Sequence, residues 1–227
     1  MPSRPSRSAV LFDLDGTLLD SLGDLAESMN AVLSERGLPT HEVDAFRYFI
    51  GDGILELVKR SLPEELRDDE DSLHSFLEAY RASYEARWHL SQPFDGIPEM
   101  LDALQERAIG LAVVSNSDSA EACLRATGLR DFFDTVVDGT QVTRRKPHPE
   151  PWLTATDRLG VRPEACVAVE DSRGGAASAR EAGAFVVGVG PSLAPGDADA
   201  LFPDVASIPI RRWLKELPLP PELEGTP

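Results

Sequence analysis

Five short apolar runs set the terms of folding for this chain: AVLF at 9–12, GLAVVS at 110–115, TVVDG at 135–139, CVAVE at 166–170 and FVVGVG at 185–190. Polar or glycine residues follow each run, and most lead into a segment whose apolar residues recur three and four apart. Near-continuous apolar runs suit strands covered on both faces, and alternation with helical segments places such strands in a parallel sheet. The fold class expected is therefore α/β. Helices are expected over residues 97–108, 118–127, 149–160 and 173–183, with Asp118 as an N-cap and Gly128 and Gly183 as C-terminal stops.

Between Asp20 and Pro93 the pattern changes. β-Branched runs vanish, and LGDLAESMNAVLSERG and HSFLEAYRASYEARW carry apolar residues at helical spacing. An all-helical insert of about four helices is expected over residues 20–93, interrupting a core made of 1–19 and 94–227. The acidic run PEELRDDEDS within it reads as a solvated helix end and turn. Trp88 and Phe94 are expected to pack the insert against its hinge, and Trp213 to pack a C-terminal helix on the core.

The chain's 39 acidic residues against 22 basic ones give a net charge of −17, which disfavours nucleic acid and anionic membrane surfaces as partners. An anionic substrate would have to be held by local positive groups or a metal. No apolar segment approaches the roughly 18 residues of a membrane span. The leader MPSRPSRSAV lacks the apolar stretch of a signal peptide. Cys123 and Cys166 form no C-x-x-C pair, which points to a reducing, cytoplasmic setting. His41, His74, His89 and His148 show no ligand spacing and read as structural or surface residues.

In an open parallel sheet, ligands bind beyond the carboxyl ends of the strands. Asp13 and Asp15 follow the first run, Ser115 and Asn116 the second. The loop after the third leads to Lys146, and the fourth ends in Glu170, Asp171 and Ser172. Four segments thus deliver carboxylates, a hydroxyl and one lysine to a single edge. Clustered carboxylates repel one another and call for a cation, and oxygen-only ligands beside an anion-binding lysine suit Mg²⁺ better than calcium or zinc. Such a cation, with a lysine and a hydroxyl, equips a site to stabilise a phosphoryl group in transfer. One aspartate can then act as nucleophile and the other as general acid and base.

The stretch Asp13-Leu14-Asp15-Gly16-Thr17-Leu18 resembles the first motif of the haloacid dehalogenase-like phosphatases. Ser115-Asn116 resembles their second motif, Lys146-Pro147 the third, and Glu170-Asp171-Ser172 with Gly174 an acidic fourth. The resemblance implies a Rossmann-like core with a helical cap inserted after the first strand. It also implies Asp13 as nucleophile and Asp15 as general acid/base. Mg²⁺ would be held by Asp13, the Asp15 carbonyl and Asp171, with Glu170 a direct or water-mediated ligand. Ser115 and Lys146 would bind phosphoryl oxygens while Asn116 shapes the loop. Many relatives carry glycine in place of Glu170 and an aspartate in place of Gly175, so Glu170 either supplies the charge that Gly175 lacks or caps its strand. The Lys146-Pro147 bond is a candidate cis peptide.

Segments DSLGDLAESMNAVLSERGLP and FIGDGILELVKRSL resemble phosphoglycolate phosphatases, whereas SNS and EDSRGG look more like the sugar-phosphate branch. The function expected is Mg²⁺-dependent hydrolysis of a small phosphomonoester, phosphoglycolate-like or a sugar phosphate, through an aspartyl-phosphate. The partner is then a small phosphorylated metabolite, and the chain a monomer or weak homodimer. A β-phosphoglucomutase-like transferase is the second reading, weakened because DSLGDLAESMN lacks the histidine such enzymes carry. Dehalogenation is disfavoured by Asp15, and a non-catalytic binding protein has no use for an acid/base pair. Within the insert, Gly51, Asp52 and Gly53 are the candidate substrate loop, opening a helix whose free N–H groups point at the ligand.

Overall fold

The structure is a computed structural model that describes residues 9–50, 53–86 and 91–209. Gly51, Asp52, Trp88, His89 and Trp213 lie outside the described residues, as do the chain's two ends.

All five apolar runs form strands of one parallel sheet: β1 (Ala9–Phe12), β4 (Gly110–Val114), β5 (Thr135–Val137), β6 (Cys166–Glu170) and β7 (Phe185–Val189). A sixth strand, β8 (Ala200–Phe202), joins the edge, giving the order β5-β4-β1-β6-β7-β8. Sequence reasoning missed β8 because three residues flanked by Asp199 and Pro203 make no apolar run. β1 lies centrally, with Phe12 in register with Val113 of β4 on one side and Val169 of β6 on the other.

Side chains alternate across this sheet, as the two-residue period of a strand requires. Val10, Phe12, Leu111, Val113, Val167 and Val169 face one layer, packed under helices α4 (Ile97–Gln105) and α5 (Ala120–Ala126). Ala9, Leu11, Ala112, Val114 and Ala168 face the other, against α6 (Glu150–Leu159) and α7 (Arg173–Ala182). On α7 the contact is made by Ala176, Ala179 and Ala182, small residues that let the helix approach closely. Ser172 caps α7 by accepting a hydrogen bond from the Gly175 N–H at 3.1 Å. Gly183 stops it with φ +97°.

The expected α4 to α7 are present with shorter ends. α4 stops at Gln105, ahead of a turn at Ala108 with φ +53°. Asp118 does not cap α5. Ser119 holds that place, because the Asp118 carboxylate is engaged by Arg145 at 2.5 Å.

Between β2 (Leu19–Asp20) and β3 (Gln92–Pro93) the chain is helical. Among the described residues, three α-helices stand where about four were expected: α1 (Leu22–Glu35), α2 (Ile54–Ser61) and α3 (Glu70–Glu85), with 3₁₀ segments at Val43–Tyr48 and Glu64–Leu66. The acidic run supplies the second 3₁₀ turn and the N-cap of α3, Asp69. These helices enclose an apolar cluster of their own, including Leu25, Met29, Leu33, Phe46, Leu57 and Phe76. The His41 Nε2–H donates to the Ser61 carbonyl, 2.8 Å away, and the ring packs on Phe46 and Phe49, a structural role. Where the chain leaves and returns, β2 and β3 pair antiparallel, with Asp20 opposite Gln92. Phe94 packs against the sheet cluster and not the helical one.

Candidate active site

The site grows from the ends of β1, β4 and β6. The Asp13 N–H donates to Val169 O at 2.9 Å, which carries the ladder one residue past β1 and seats the carboxylate at the sheet edge. Ser115 continues β4 in the same way through Val137 O, and its Oγ accepts from the Ser117 N–H at 3.0 Å. Glu170 ends β6, and its Oε2 accepts from the Ser172 N–H and hydroxyl, each at 2.8 Å.

Lys146 arrives on the loop between β5 and α6 and is 3% exposed. Its Nζ donates to Asp13 Oδ1 at 2.5 Å and to Glu170 Oε1 at 2.7 Å. Asn116 holds its backbone from both directions: Asn116 Nδ2 donates to the Lys146 carbonyl at 3.0 Å, and the Lys146 N–H donates to Asn116 Oδ1 at 2.9 Å. The ammonium also lies 4.8 Å from the centroid of the buried Trp152 ring, a cation–π contact. The Lys146–Pro147 peptide is cis. Burial opposes the lysine's charge, but the carboxylates of Asp13 and Glu170 outweigh it and hold the ammonium above its ordinary pKa.

Carboxylates in this pocket are raised as well, which for them favours the neutral form. Burial raises Asp13 to about 7, with repulsion from Glu170 adding and the Lys146 charge offsetting part of it. Burial, then Glu170 and Asp13, raise Asp171 well above the usual carboxylate range. Burial likewise raises Asp15. Ligand oxygens of Asp13, Glu170 and Asp171 lie within 4.8 Å of one another, an all-oxygen cluster that fits a hard divalent cation. The backbone is shaped around it. A side-chain carbon at Gly16, where φ is +86°, would overlap the Asp171 carboxylate, and one at Gly175 would overlap the carboxyl group of Glu170. Glu170 therefore fills the space that a residue-175 side chain would use, and its bonds to Ser172 fasten the strand end as well.

Asp13, Asp15, Ser115, Asn116, Lys146 and Glu170 line one cavity of about 70 Å³. Asp171 lines a neighbouring one with Gly16 and Asp20. The helical insert closes the first cavity from above with Leu25, Ile50, Gly53, Ile54, Leu57, Tyr80 and Tyr84. Gly53 precedes α2, so the expected helix start is observed at Ile54. A Cβ on Gly53 would lie 3.8 Å from Asn116 Nδ2, showing how near this segment comes to the core.

Sequence reasoning did not single out Tyr80 and Tyr84, which stack at 6.0 Å with rings 6° apart. Their four-residue spacing on α3 was visible, but it is the spacing of any core face. Asp118, the expected cap, serves elsewhere. It instead links the two halves of the molecule, accepting from Arg145 of the lysine loop and pairing with Arg81 of α3 at 3.7 Å.

A family model, the haloacid dehalogenase-like hydrolases, matches residues 10–189, from within β1 to the end of β7 and including every site residue above. The chain belongs to this family and is an enzyme of the hydrolase class. It is 38% identical to the phosphoglycolate phosphatase of Nitrosospira multiformis over 208 residues, covering 87% of this chain and 92% of that one. The phosphoglycolate phosphatase of Thiobacillus denitrificans is 35% identical with the same coverage. Among solved structures, a protein of Haemophilus somnus described as a predicted phosphoglycolate phosphatase superposes with a TM-score of 0.80 at 30% identity, covering 89% of this chain and 96% of its own. The β-phosphoglucomutase of Clostridium difficile gives 0.81 at 22% identity over 92% and 96%, a likeness of fold.

Proposed function

We propose that this chain is a Mg²⁺-dependent phosphatase that hydrolyses a small phosphomonoester, phosphoglycolate-like or a sugar phosphate, through an aspartyl-phosphate on Asp13. The observation that carries the reading is the buried Lys146 ammonium held between Asp13 and Glu170, beside the three-carboxylate cluster. A phosphoryl group in that position meets a carboxylate nucleophile and a fixed cation together.

Asp13 attacks phosphorus, and its carboxyl oxygen replaces the ester oxygen. Asp15 gives its proton to that leaving oxygen, a task favoured by its raised pKa. The same carboxylate then takes a proton from the water that opens the acyl phosphate, returning Asp13. Ser115 and Lys146 hold the phosphoryl oxygens, and Asn116 keeps Lys146 in place. Asp13, the Asp15 carbonyl, Asp171 and Glu170 would hold Mg²⁺, which supplies charge neutralisation for the phosphoryl oxygens. Relatives named phosphoglycolate phosphatases support the substrate class.

Residues 20–93 act as a cap domain over a core of 1–19 and 94–227, excluding water and choosing the leaving group, with Gly51, Asp52 and Gly53 contributing to that choice. The protein works in the cytoplasm on a small metabolite, as a monomer or weak homodimer. No helix among the described residues is long and apolar enough to cross a membrane. Release of phosphate from para-nitrophenyl phosphate and from a panel of phosphorylated metabolites, with and without Mg²⁺, tests the reading. Metal-dependent release is expected, and its absence from every ester would overturn it.

A further inference from the structure

The Tyr80 hydroxyl is fully buried and has no hydrogen-bond partner among the described residues. Buried hydroxyls are seldom left so, because an unmade bond forfeits what water provided. Tyr80 stands in the wall of the cavity that holds Asp13, Asp15 and Lys146. Asp15 lines the same cavity, and its Oδ1 is likewise buried with no hydrogen-bond partner among the described residues. The two groups sense each other, since burial and then the Asp15 charge keep the phenol protonated and hence a donor. They do not bond to each other. One cavity is thus lined by an acid on the core and a donor on the insert.

Among the described insert side chains at this cavity, Tyr80 alone offers a free donor. Leu25, Ile50, Ile54 and Leu57 are hydrocarbon, and the Tyr84 phenol interacts with the Cys123 thiol. We propose that Tyr80 is a specificity-determining residue: its hydroxyl donates a hydrogen bond to an oxygen on the leaving-group side of the substrate. The esters selected are those whose alcohol part bears a second oxygen acceptor, a carboxylate or a hydroxyl, close to the bond that breaks. This rests on the phosphatase reading above and deepens it. When Asp15 protonates the ester oxygen, the neighbouring oxygen already lies against Tyr80, so the leaving group is fixed at both ends. The Tyr84 ring stacks on the Tyr80 ring and supports it.

Tyr80→Phe keeps the ring, its stacking and its volume, and deletes the donor alone. Two-carbon esters supply the contrast: 2-phosphoglycolate carries a carboxylate where ethyl phosphate carries a methyl group. Glycerol 3-phosphate provides the hydroxyl arm. In the variant, kcat/KM for at least one oxygenated ester is expected to fall by about ten- to a hundredfold, while that for ethyl phosphate changes by less than about twofold. The thermal midpoint should hold or rise, since an unpartnered buried hydroxyl has been removed. Equal losses on all three esters, no loss on any, or a lowered midpoint would overturn the assignment. A wild-type enzyme that hydrolyses ethyl phosphate but prefers neither oxygenated ester would also overturn it, leaving the phosphatase reading in place. Absence of hydrolysis of every ester would overturn both.

Discussion

Asn116 and Lys146 are joined backbone to side chain in both directions, the amide accepting from the lysine N–H and donating to its carbonyl. One planar amide thus fixes the loop that carries the site's buried cation. Asn116→Ala leaves two buried backbone groups unpaired, for about 1–3 kcal/mol of lost stability. The lysine also loses its register, so turnover is expected to fall by about ten- to a hundredfold. Urea unfolding and phosphate-release kinetics check the two effects. Wild-type values for both would show that the amide does not position Lys146.

Glu170 and Gly175 share one volume, so their substitutions should depend on each other. Gly175→Asp alone forces a second carboxylate into the Glu170 carboxyl and is expected to destabilise the protein and abolish activity. Glu170→Gly alone removes one of the two acids bonded to Lys146. The double variant Glu170→Gly/Gly175→Asp returns one acid to the vacated space and should recover much of what the singles lose. A double-mutant cycle with a large coupling in stability and activity is predicted. Additive losses would contradict it.

Acidity gives a third test. With Asp13 raised to about 7 when folded, against 3.8 for the free group, the metal-free folded protein binds a proton that the unfolded chain has released. The folded pKa being the higher one, this stabilisation is complete below about pH 4 and lost as pH rises through about 7. Relative to metal-free Asp13→Asn, the wild type should therefore lose thermal stability over that interval and no further above it. Protons and metal compete for the same oxygens, so Mg²⁺ should raise the wild-type midpoint more at pH 8 than at pH 5. A pH-independent difference between the two proteins would sink this reading of the buried carboxyl.

The sheet and the acids at its edge were legible because both are local signals. A doubly buried strand must be apolar throughout, as in CVAVE, and the residues after it must then fall at one edge. The resemblance supplied the order of motifs that turned those acids into a site. β8 escaped because Ala200–Phe202 is too short to form a pattern. The role of Asp118 escaped because the same carboxylate that suits an N-cap pairs equally well with a guanidinium, and the partners Arg81 and Arg145 are distant in sequence. Tyr80 escaped for a related reason. Its place on the apolar face of α3 was readable, but only the meeting of that helix with the sheet edge brings a core phenol into the cavity that Asp15 lines.

The covalent step on Asp13 is tested most directly by trapping. Asp15→Asn should still allow Asp13 to displace a good leaving group such as para-nitrophenolate, while slowing the water attack that needs a base. Incubated with ³²P-labelled para-nitrophenyl phosphate and Mg²⁺, then quenched in acid and digested, this variant should retain label on the peptide that contains Asp13. Asp13→Asn, treated alike, should retain none. Label on another residue, or an unlabelled Asp15→Asn protein that continues to release phosphate, would contradict the aspartyl-phosphate mechanism.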